Sequence, residues 1–364
     1  MTPDDITRRR LLRVAGGTVA VAAVGGSTAA TAGRSVSEHT GNAIRAQDEQ
    51  YSEIYDETID SVVLVNTFGN GDGGPGGLGS GFVVDDEYVV TNDHVAGDAT
   101  EVELQFRDEQ WRSASVIGSD VHSDLAVLEV EDVPDAAEGL SFTDAEPTVG
   151  QEVIALGNPL GLDASISQGL VSGVDRSLPS PTGFSIPAAI QTDAPVNPGN
   201  SGGPLVSLES DVLGVVFAGA GQTIGFAISA ALANRVVPAL VEDGEYQHAY
   251  VGVSVLPVGP LVAEANDLEE PRGVLIVNVV PDSPADGALE PADGVESVGG
   301  DPVPVGGDVI IAINDREIPN QDRLSSTLAL ETSPGETVDV EVVRDGERRT
   351  VEATLEPRPD VDVP

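Results

Sequence analysis

The sequence predicts a mainly β fold, built of barrels or sandwiches and divided into two domains. Short apolar runs recur from residue 61 onward, and 42 glycines and 25 prolines supply the turns between them. Few segments space their apolar residues like a helix. With 364 residues, 40% of them hydrophobic, the chain is long enough for two cores and an export segment.

The charge balance is strongly acidic. Asp and Glu number 61 against 17 basic residues, all of them Arg, for a net charge of −44. Such a surface repels nucleic acid and anionic membranes, so no nucleic-acid partner is expected. Disorder is the alternative reading of this composition, but the acidic residues are dispersed between strand-like runs. The pattern therefore predicts a folded protein of a halophile, of the haloarchaeal type, in which salt screens self-repulsion.

Residues 1–33 read as a signal segment. Arg8-Arg9-Arg10-Leu11-Leu12 precedes an apolar stretch rich in Ala, Gly and Val, and Ala30-Thr31-Ala32 offers a cleavage site. The paired arginines resemble a twin-arginine signal, which predicts export to the cell surface or the medium. An uncleaved segment that anchors the protein in the membrane is the alternative. Residues 34–50 are polar and predict a linker.

A first domain is predicted over residues 51–243. Helical spacing marks its two ends, at Tyr51–Ile59 and Leu232–Val241. Gly69–Gly79 reads as a mobile loop, and without a following Lys-Ser/Thr it is no phosphate-binding loop. The strands predicted between are Ser61–Phe68, Gly81–Val84, Tyr88–Thr91, Val102–Phe106, Ser115–Ile117, Leu125–Val130, Glu152–Ala155, Ile166–Val174, Ala189–Thr192, Leu213–Phe217 and Gly225–Ile228.

After a polar hinge at residues 244–249, a second and smaller α+β domain is predicted over residues 250–357. A helix is expected at Gln321–Leu330, and Leu289–Gly306 carries extra Pro, Gly and acidic residues. Residues 358–364 read as a tail. The predicted strands of this domain are Val251–Val255, Val274–Val280, Asp308–Ile313, Thr337–Arg344 and Arg349–Leu355.

The run Asp193–Leu205 is the centre of the predicted chemistry. Ser201 has one glycine two residues before it and two glycines after it. Such a turn can present the serine Oγ outward and direct the N–H groups of Gly199 and Ser201 into one space, as an oxyanion hole requires. An ordinary loop between two strands is the alternative for this run taken alone.

A nucleophilic serine needs a base and a carboxylate that orients the base. His94 follows a strand, which suits a rigidly held base, and Asp124 opens an apolar strand. A carboxylate there needs a hydrogen-bond donor such as a histidine ring. Of the other histidines, His122 is expected at the surface, with a role in gating Asp124 left open. His39 lies in the linker and His248 in the hinge, so both are poor candidates.

Six segments of the chain carry a family resemblance: Gly79-Ser-Gly-Phe-Val-Val84, Thr91-Asn-Asp-His-Val95, Ser123-Asp-Leu-Ala-Val-Leu128, Ala155-Leu-Gly-Asn-Pro-Leu-Gly161, Gln191–Leu205 and Ile224-Gly-Phe-Ala-Ile228. Together they resemble the HtrA/Deg family of serine proteases, over about Tyr51 to Leu355. The resemblance implies a chymotrypsin-like double β-barrel followed by one PDZ domain.

The resemblance also implies residue roles. Ser201 would be the nucleophile, His94 the general base and then acid, and Asp124 the orienting carboxylate. Gly199 and Ser201 would form the oxyanion hole, with Asn200 as a possible helper. The family regulates itself by rearranging loops, which here correspond to Leu160–Gln168, Arg176–Pro187 and Ala218–Thr223.

The substrate pocket is predicted from the same resemblance. Ile224, Gly225, Phe226 and Ala227 would line it, which favours cleavage after small or medium aliphatic residues. No acidic residue is assigned to the pocket, although Asp193 lies near in sequence. A clear preference for Arg or Lys would contradict this expectation.

The second domain resembles a PDZ module. Tyr250, Val251, Gly252 and Val253 match the loop that binds a peptide's terminal carboxylate in PDZ domains of the family. Residues 51–68 match a segment used for trimer contacts, and an exposed pair Tyr51/Tyr55 would fit a homotrimer. Packing of both tyrosines on their own barrel is the equal alternative.

The sequence thus predicts an exported, ATP-independent serine endopeptidase that acts on unfolded or damaged proteins and is regulated by a PDZ domain. The rival prediction is a non-hydrolytic chaperone or PDZ peptide-binding scaffold. A membrane-anchored assembly protein is a third. No cofactor or metal is predicted, because neither a metal-ligand cluster nor a phosphate-binding loop is recognisable.

Overall fold

The structure is a computed structural model, which describes residues 49–68, 75–85, 87–97, 99, 101–158, 165–180, 184–217 and 224–359. The predicted signal segment and His39 lie outside these residues. The chain separates into residues 1–49 and one compact unit over residues 50–364. Apart from Glu49, at the start of the first described helix, all described residues belong to the second unit.

The first six strands close into an antiparallel barrel, in the order β1-β2-β3-β6-β5-β4. Its interior is filled by buried aliphatic side chains and Phe106. The strands are β1 (Val62–Phe68), β2 (Pro75–Asp85), β3 (Tyr88–Thr91), β4 (Glu101–Gln105), β5 (Trp111–Asp120) and β6 (Leu125–Val130).

The next six strands close into a second antiparallel barrel, in the order β10-β11-β12-β9-β8-β7. A separate aliphatic core fills it. The strands are β7 (Glu152–Gly157), β8 (Ser165–Pro179), β9 (Ser185–Thr192), β10 (Pro204–Val206), β11 (Val212–Phe217) and β12 (Gly225–Ser229).

The glycine-rich segment before β2 corrects one prediction. We expected Gly69–Gly79 to be a mobile loop, but β2 begins at Pro75. A Cβ atom on Gly77 would lie 2.8 Å from the Val95 carbonyl, and one on Gly79 would lie 2.8 Å from the Val95 methyl groups. These glycines therefore permit close approach of β2 to the segment around Val95.

Two helices cover the joint between the barrels. Helix α1 spans residues 49–58 and continues into a short 3-10 turn, Ile59–Ser61. Tyr51 and Tyr55 pack on the central core, and the Tyr51 hydroxyl accepts from Gln168 Nε2 at 2.6 Å. After the short helix α2 (Asp93–Ala96), helix α3 (Ala230–Glu242) closes the domain, and Ser229 caps it by accepting from Leu232 N.

The remaining strands form a second domain around one six-stranded sheet. Its order is β14-β15-β18-β20-β21, with β19 paired to β18, so β14 is an edge strand. The extra segment predicted at Leu289–Gly306 contains a two-stranded hairpin, β16-β17. The elements are β13 (Ala249–Tyr250), β14 (Val253–Pro257), α4 (Pro260–Ala265), β15 (Val274–Val279), β16 (Gly294–Val298), β17 (Asp301–Val305), β18 (Val309–Ile313), β19 (Arg316–Glu317), α5 (Gln321–Glu331), β20 (Thr337–Arg344), β21 (Glu347–Thr354) and β22 (Glu356–Pro357).

The second domain lies against the second barrel. Helix α5 contacts strands β8 and β9, and Arg323 on α5 pairs with Asp175 on β8 at 2.8 Å. Arg235 of α3 donates to the Thr332 carbonyl at 2.8 Å. Among the described residues, no helix has the length and apolar character needed to cross a membrane.

Candidate active site

His94 and Asp124 meet at one end of the first barrel. The His94 Nδ1 atom lies 2.8 Å from Asp124 Oδ2 and 3.0 Å from Oδ1. The backbone N–H of His94 also donates to Asp124 Oδ1 at 2.9 Å. The Asp124 side chain is 8% exposed and that of His94 45%. The carboxylate therefore fixes the imidazole by two contacts and leaves Nε2 as the nitrogen available to a second partner.

The backbone holds Asp124 in a conformation that few residues adopt. Its φ angle is 56°, in the left-handed region, which Asp tolerates better than most residues. The buried Asn92 donates through Nδ2 to the Asp124 carbonyl at 3.0 Å. Since His94 follows Asn92 by two residues at the end of β3, the same short segment positions both members of the pair.

The pKa of His94 is raised above its ordinary value. Burial alone lowers it, but the hydrogen bond and the negative charge of Asp124 outweigh burial, and Asp93 adds a smaller effect. The imidazolium form is thus stabilised, as a base needs once it has accepted a proton.

Ser201 lies in a turn between β9 and β10 whose glycines are conformationally required. Gly199 and Gly202 have φ angles of 98° and 87°. A Cβ atom on Gly202 would lie 2.1 Å from the Ser80 carbonyl oxygen. Only glycine satisfies both the left-handed backbone and this contact.

Ser80 joins the turn to the first barrel. Its hydroxyl donates to the Gly199 carbonyl at 2.6 Å and accepts from Asn158 N at 2.9 Å. Its backbone N–H donates to the Ser201 carbonyl at 2.8 Å. Ser80 belongs to the run Gly79-Ser-Gly-Phe-Val-Val84, but no local pattern in the sequence suggested its role, because its hydrogen-bond partners are remote in the chain.

Two further residues place the Ser201 turn beside His94. A Cβ atom on Gly79 would contact both Val95, the residue after His94, and the Ser201 carbonyl, at 2.8 and 3.1 Å. On the other side, Gly202 N donates to Val216 O at 2.9 Å, and the ring of Phe217 meets the His94 ring edge-on at 5.7 Å. Phe217, unassigned from sequence, is therefore a wall of the site. The first barrel therefore contributes His94 and Asp124 to the site, and the second barrel contributes the turn that carries Ser201.

The backbone N–H groups around Ser201 divide into two kinds. Asn200 N donates to Asn197 O at 3.0 Å, and the Asn200 side chain accepts from Ser165 Oγ at 3.1 Å. The N–H groups of Gly199 and Ser201 have no such acceptor in the described part of the chain. This arrangement leaves Gly199 and Ser201, rather than Asn200, free to donate to an oxyanion.

The four residues expected to line the substrate pocket have different environments. Ile224 is exposed, whereas Ala227 is fully buried in the core of the second barrel and Phe226 packs on the central core. A Cβ atom on Gly225 would lie 2.8 Å from Val196 Cγ2. Asp193 binds Leu170 N through Oδ1 at 2.6 Å. An apolar Val196, missed from sequence, thus stands where the pocket meets the nucleophile turn.

The loop Tyr250–Val253 lies at the open edge of the second domain's sheet. Tyr250 pairs with Glu356 on β22, and Val253 begins the edge strand β14. Gly252 has a φ of 85°, and its carbonyl accepts from Val280 N at 2.9 Å. A cavity of about 320 Å³ runs between this loop, β14 and α5, and Phe184 from the second barrel completes its wall.

One histidine contradicts its predicted position, and a second has an environment that the sequence did not suggest. We expected His122 at the surface, but it is buried, and its ring contacts those of His248 and Phe184 at 5.5 and 5.3 Å. His248, set aside as a hinge residue, is buried against Asp120. The carboxylate of Asp120 also caps the turn that leads to Asp124, by accepting from the backbone N–H groups of His122 and Ser123. A hydrogen bond to a carboxylate 128 positions away stabilises the His248 side chain in the interior, and ring contacts with Phe184 and His248 surround that of His122.

The sequence profile of the trypsin-like peptidase domain family matches residues 79–215, and that of the PDZ domain family matches residues 249–355. A solved structure described as an HtrA-type protease AlgW with tripeptide superposes with a TM-score of 0.69, at 29% identity over 85% of this chain and 98% of that one. A variant of AlgW with a tripeptide reaches 30% identity, a TM-score of 0.65, and coverage of 85% and 97%. This chain belongs to the HtrA/DegP family.

Among curated HtrA/DegP relatives, a probable periplasmic serine endoprotease DegP-like of Halomonas elongata is 35% identical over 78% of this chain. The corresponding Marinomonas protein is 37% identical over 78%. Each alignment covers 57% of the relative, so the chain spans little more than half their length. These relatives are bacterial and do not support a haloarchaeal assignment. The predicted chymotrypsin-like double barrel followed by a PDZ domain is confirmed.

Among the described residues, no group of three or more His, Asp or Glu side chains is arranged to hold a metal ion. Of the three loops that the family resemblance implicates in regulation, Ala218–Thr223 lies outside the described residues, as do parts of the other two.

Proposed function

We propose that this chain is a serine endopeptidase that cleaves unfolded or damaged proteins without ATP. The observation that carries the proposal is the His94–Asp124 pair, with contacts of 2.8 to 3.0 Å, beside the Ser201 turn. His94 takes the Ser201 proton through Nε2 as Oγ attacks the carbonyl carbon. It then returns the proton to the leaving amine, and water repeats the cycle on the acyl-enzyme. Asp124 holds the ring and stabilises the imidazolium.

The N–H groups of Gly199 and Ser201 receive the oxyanion of the tetrahedral intermediate in this mechanism. Removing one donor of an oxyanion hole typically reduces kcat by about 100- to 1000-fold. The Ser80 contacts matter because they fix the Gly199 and Ser201 carbonyls, and so restrain the peptide units on either side of the one that carries the Ser201 N–H. We assign Asn200 a structural role, since its N–H is engaged by Asn197.

The decisive experiment compares hydrolysis of a chemically unfolded casein in high salt by the natural chain and by Ser201→Ala. Hydrolysis by the first alone supports the proposal and the nucleophile together. A non-hydrolytic chaperone or peptide-binding scaffold predicts that both proteins prevent aggregation of the substrate and neither cleaves it. Labelling of Ser201 by a fluorophosphonate separates these outcomes further, because the label requires an activated serine.

We propose a preference for small or medium aliphatic residues before the scissile bond. Ile224, Gly225 and Val196 bring apolar groups to the Ser201 turn, and the nearby acid Asp193 is bound to Leu170 N. Cleavage-site mapping by mass spectrometry tests this assignment. Cuts that follow mainly Arg or Lys would contradict it.

We propose that peptide C-termini bind at Tyr250–Val253 and regulate the protease. The groove beside this loop is shared with Phe184, Ser185 and Pro187 of the second barrel, within the loop region Arg176–Pro187. An occupant would therefore touch both domains. Equal proteolytic activity with and without activating peptides would argue against such regulation.

The setting of the protein is proposed from its sequence. The arginine pair near the N-terminus supports export through a twin-arginine route. Retention of this segment as a membrane anchor is the alternative. The net charge of −44 supports function in concentrated salt, as in a haloarchaeon. A homotrimer is the proposed assembly, although Tyr51 and Tyr55 pack on their own chain. Cell fractionation, salt titration of activity and analytical ultracentrifugation test these points in turn.

A further inference from the structure

No carboxylate of the described residues forms an ion pair with Arg358. Arg358 follows the last strand, β22, and its Nε and Nη1 atoms are buried without a hydrogen-bond acceptor. Burial lowers its pKa, and the negative charge of Asp120, with a further electrostatic effect of Tyr250, only partly opposes that effect. A guanidinium removed from water without hydrogen bonds is destabilising unless a ligand supplies them.

This situation is unusual in so acidic a chain, with 61 acidic residues for 17 basic ones. Three other arginines of the second domain contact carboxylates: Arg344 contacts Glu290 at 2.7 Å, Arg323 contacts Asp175 at 2.8 Å, and Arg316 contacts Glu331 at 2.9 Å. In contrast, none of the described acidic side chains accepts a hydrogen bond from Nε or Nη1 of Arg358.

The groups that do surround Arg358 leave its N–H groups unused. Asp120 is committed to His248 Nε2, at 2.6 Å, and to the backbone of the following turn. The guanidinium carbon lies 4.5 Å from the centre of the Phe184 ring, a cation–π contact that fixes its position without a hydrogen bond. The Arg358 backbone N–H donates to the His248 carbonyl at 2.8 Å. The side chain is therefore held in place with its donors free.

Arg358 lines the same groove as the loop Tyr250–Val253. Strand β14 forms an open edge there, where an extended peptide can add as a further strand, and Leu324 and Leu328 of α5 face it with apolar side chains. A peptide added in this way delivers its terminal carboxylate to the loop that precedes the strand. The unpaired guanidinium of Arg358 lines the groove and can bind that carboxylate.

We propose that Arg358 binds the terminal carboxylate of a peptide in the groove, together with backbone N–H groups of the loop Tyr250–Val253. This inference rests on the proposed peptide-binding function and adds a specificity-determining residue from outside the predicted domain. A planar guanidinium offers two parallel donors to a carboxylate, which lysine cannot reproduce.

The test measures binding apart from hydrolysis, on the full chain carrying Ser201→Ala. The probes are fluorescein-labelled octapeptides that end in Ala, Val, Leu or Phe, each prepared as the free acid and as the C-terminal amide. Free acids are expected to bind about 10- to 100-fold more tightly than the amides, the worth of a charge-assisted hydrogen bond. Arg358→Gln removes most of that factor and leaves the amides unchanged, whereas Arg358→Lys restores it in part. Arg348→Gln, at an exposed arginine of β21, is the matched control and changes neither.

Thermal unfolding without peptide separates this role from a structural one. Because Arg358→Gln removes an unpaired buried charge, the midpoint is expected to stay the same or rise. A lower midpoint with equal losses for acids and amides would overturn the inference, as would a panel in which no free acid binds better than its amide. Acid-over-amide discrimination in a chain that never hydrolyses protein would instead count against the proposed peptidase alone.

Discussion

His248 and Asp120 form a buried pair across the junction of the two domains, with His248 Nε2 2.6 Å from Asp120 Oδ2 and the two residues 128 positions apart in the chain. The side chains are 1% and 5% exposed. Burial opposes the charge on Asp120, but the hydrogen bond and charge of His248, with Ser123 and His122, hold its pKa below the usual range. The carboxylate is therefore ionised, and the imidazole donates to it.

Breaking this pair is expected to destabilise the whole chain. His248→Ala leaves Asp120 as an uncompensated buried charge, which typically costs about 3–5 kcal/mol. Asp120→Asn combined with His248→Gln removes the charge and keeps a hydrogen bond, so it loses much less than the sum of the single changes. Urea unfolding of the natural chain, Asp120→Asn, His248→Gln and the double variant completes the cycle. Additive losses would show that the two side chains act independently.

The acid limb of activity is expected to lie at higher pH than an ordinary histidine would give. His94 must be neutral to accept the Ser201 proton, and its raised pKa means that activity is lost as pH falls through that value. Asp124→Asn removes the main groups that raise the pKa, so the limb moves to lower pH while kcat falls by about 10⁴-fold. Profiles of kcat/KM against pH check both effects.

The contribution of His94 to folding stability changes with pH in the direction opposite to activity: it falls as pH rises. Since the folded-state pKa of His94 is above its unfolded value, its contribution to stability is full below the unfolded pKa and is lost as pH rises through the folded one. A loss of this contribution on acidification would contradict the assigned direction.

Ser80→Ala is expected to impair catalysis more than folding. The substitution removes a donor to the Gly199 carbonyl and an acceptor for Asn158 N, at a cost of about 1–3 kcal/mol. The oxyanion donors then lose their support, so kcat falls while KM changes little. Ser113→Ala, at an exposed serine of β5, is the control and should leave both constants unchanged. A change confined to KM would refute this role.

Gly202→Ala tests the packing of the nucleophile turn. A methyl group there meets the Ser80 carbonyl at 2.1 Å, in addition to the strain of a φ of 87°. We expect at least a 100-fold loss of kcat. Gly346→Ala isolates the strain, because that glycine has a φ of 75° and open space beside it, and should cost about 1 kcal/mol with no loss of kcat. Equal kinetic effects of the two changes would point to strain alone.

Local pattern was sufficient for much of this fold. The strands Tyr88–Thr91, Leu125–Val130 and Thr337–Arg344 have the bounds expected from their apolar runs. The order of His94, Asp124 and Ser201 relative to these strands was also visible, because each stands at the end of a short element or in a glycine-rich turn.

The remainder depends on contacts that no local pattern reports. Ser80 binds Gly199, 119 residues away, and the burial of His122 and His248 depends on Asp120 and Phe184. Gly77 and Gly79 looked like loop residues, since a glycine that permits backbone approach has the same sequence signature as one that permits a turn. The strand β10 (Pro204–Val206) was missed because three residues are too few to show alternation.

The hydrogen bond from Arg358 N to the His248 carbonyl places the start and the end of the PDZ domain side by side. The chain therefore enters and leaves this domain at a single pivot. A rotation of the PDZ domain about this point is not restrained by a second chain connection. Besides surface packing, it must break the contacts of Arg323 with Asp175 and of Arg235 with Thr332. During such a rotation, His248 and Arg358, at the two ends of the PDZ domain, stay next to Asp120, which lies four residues before Asp124.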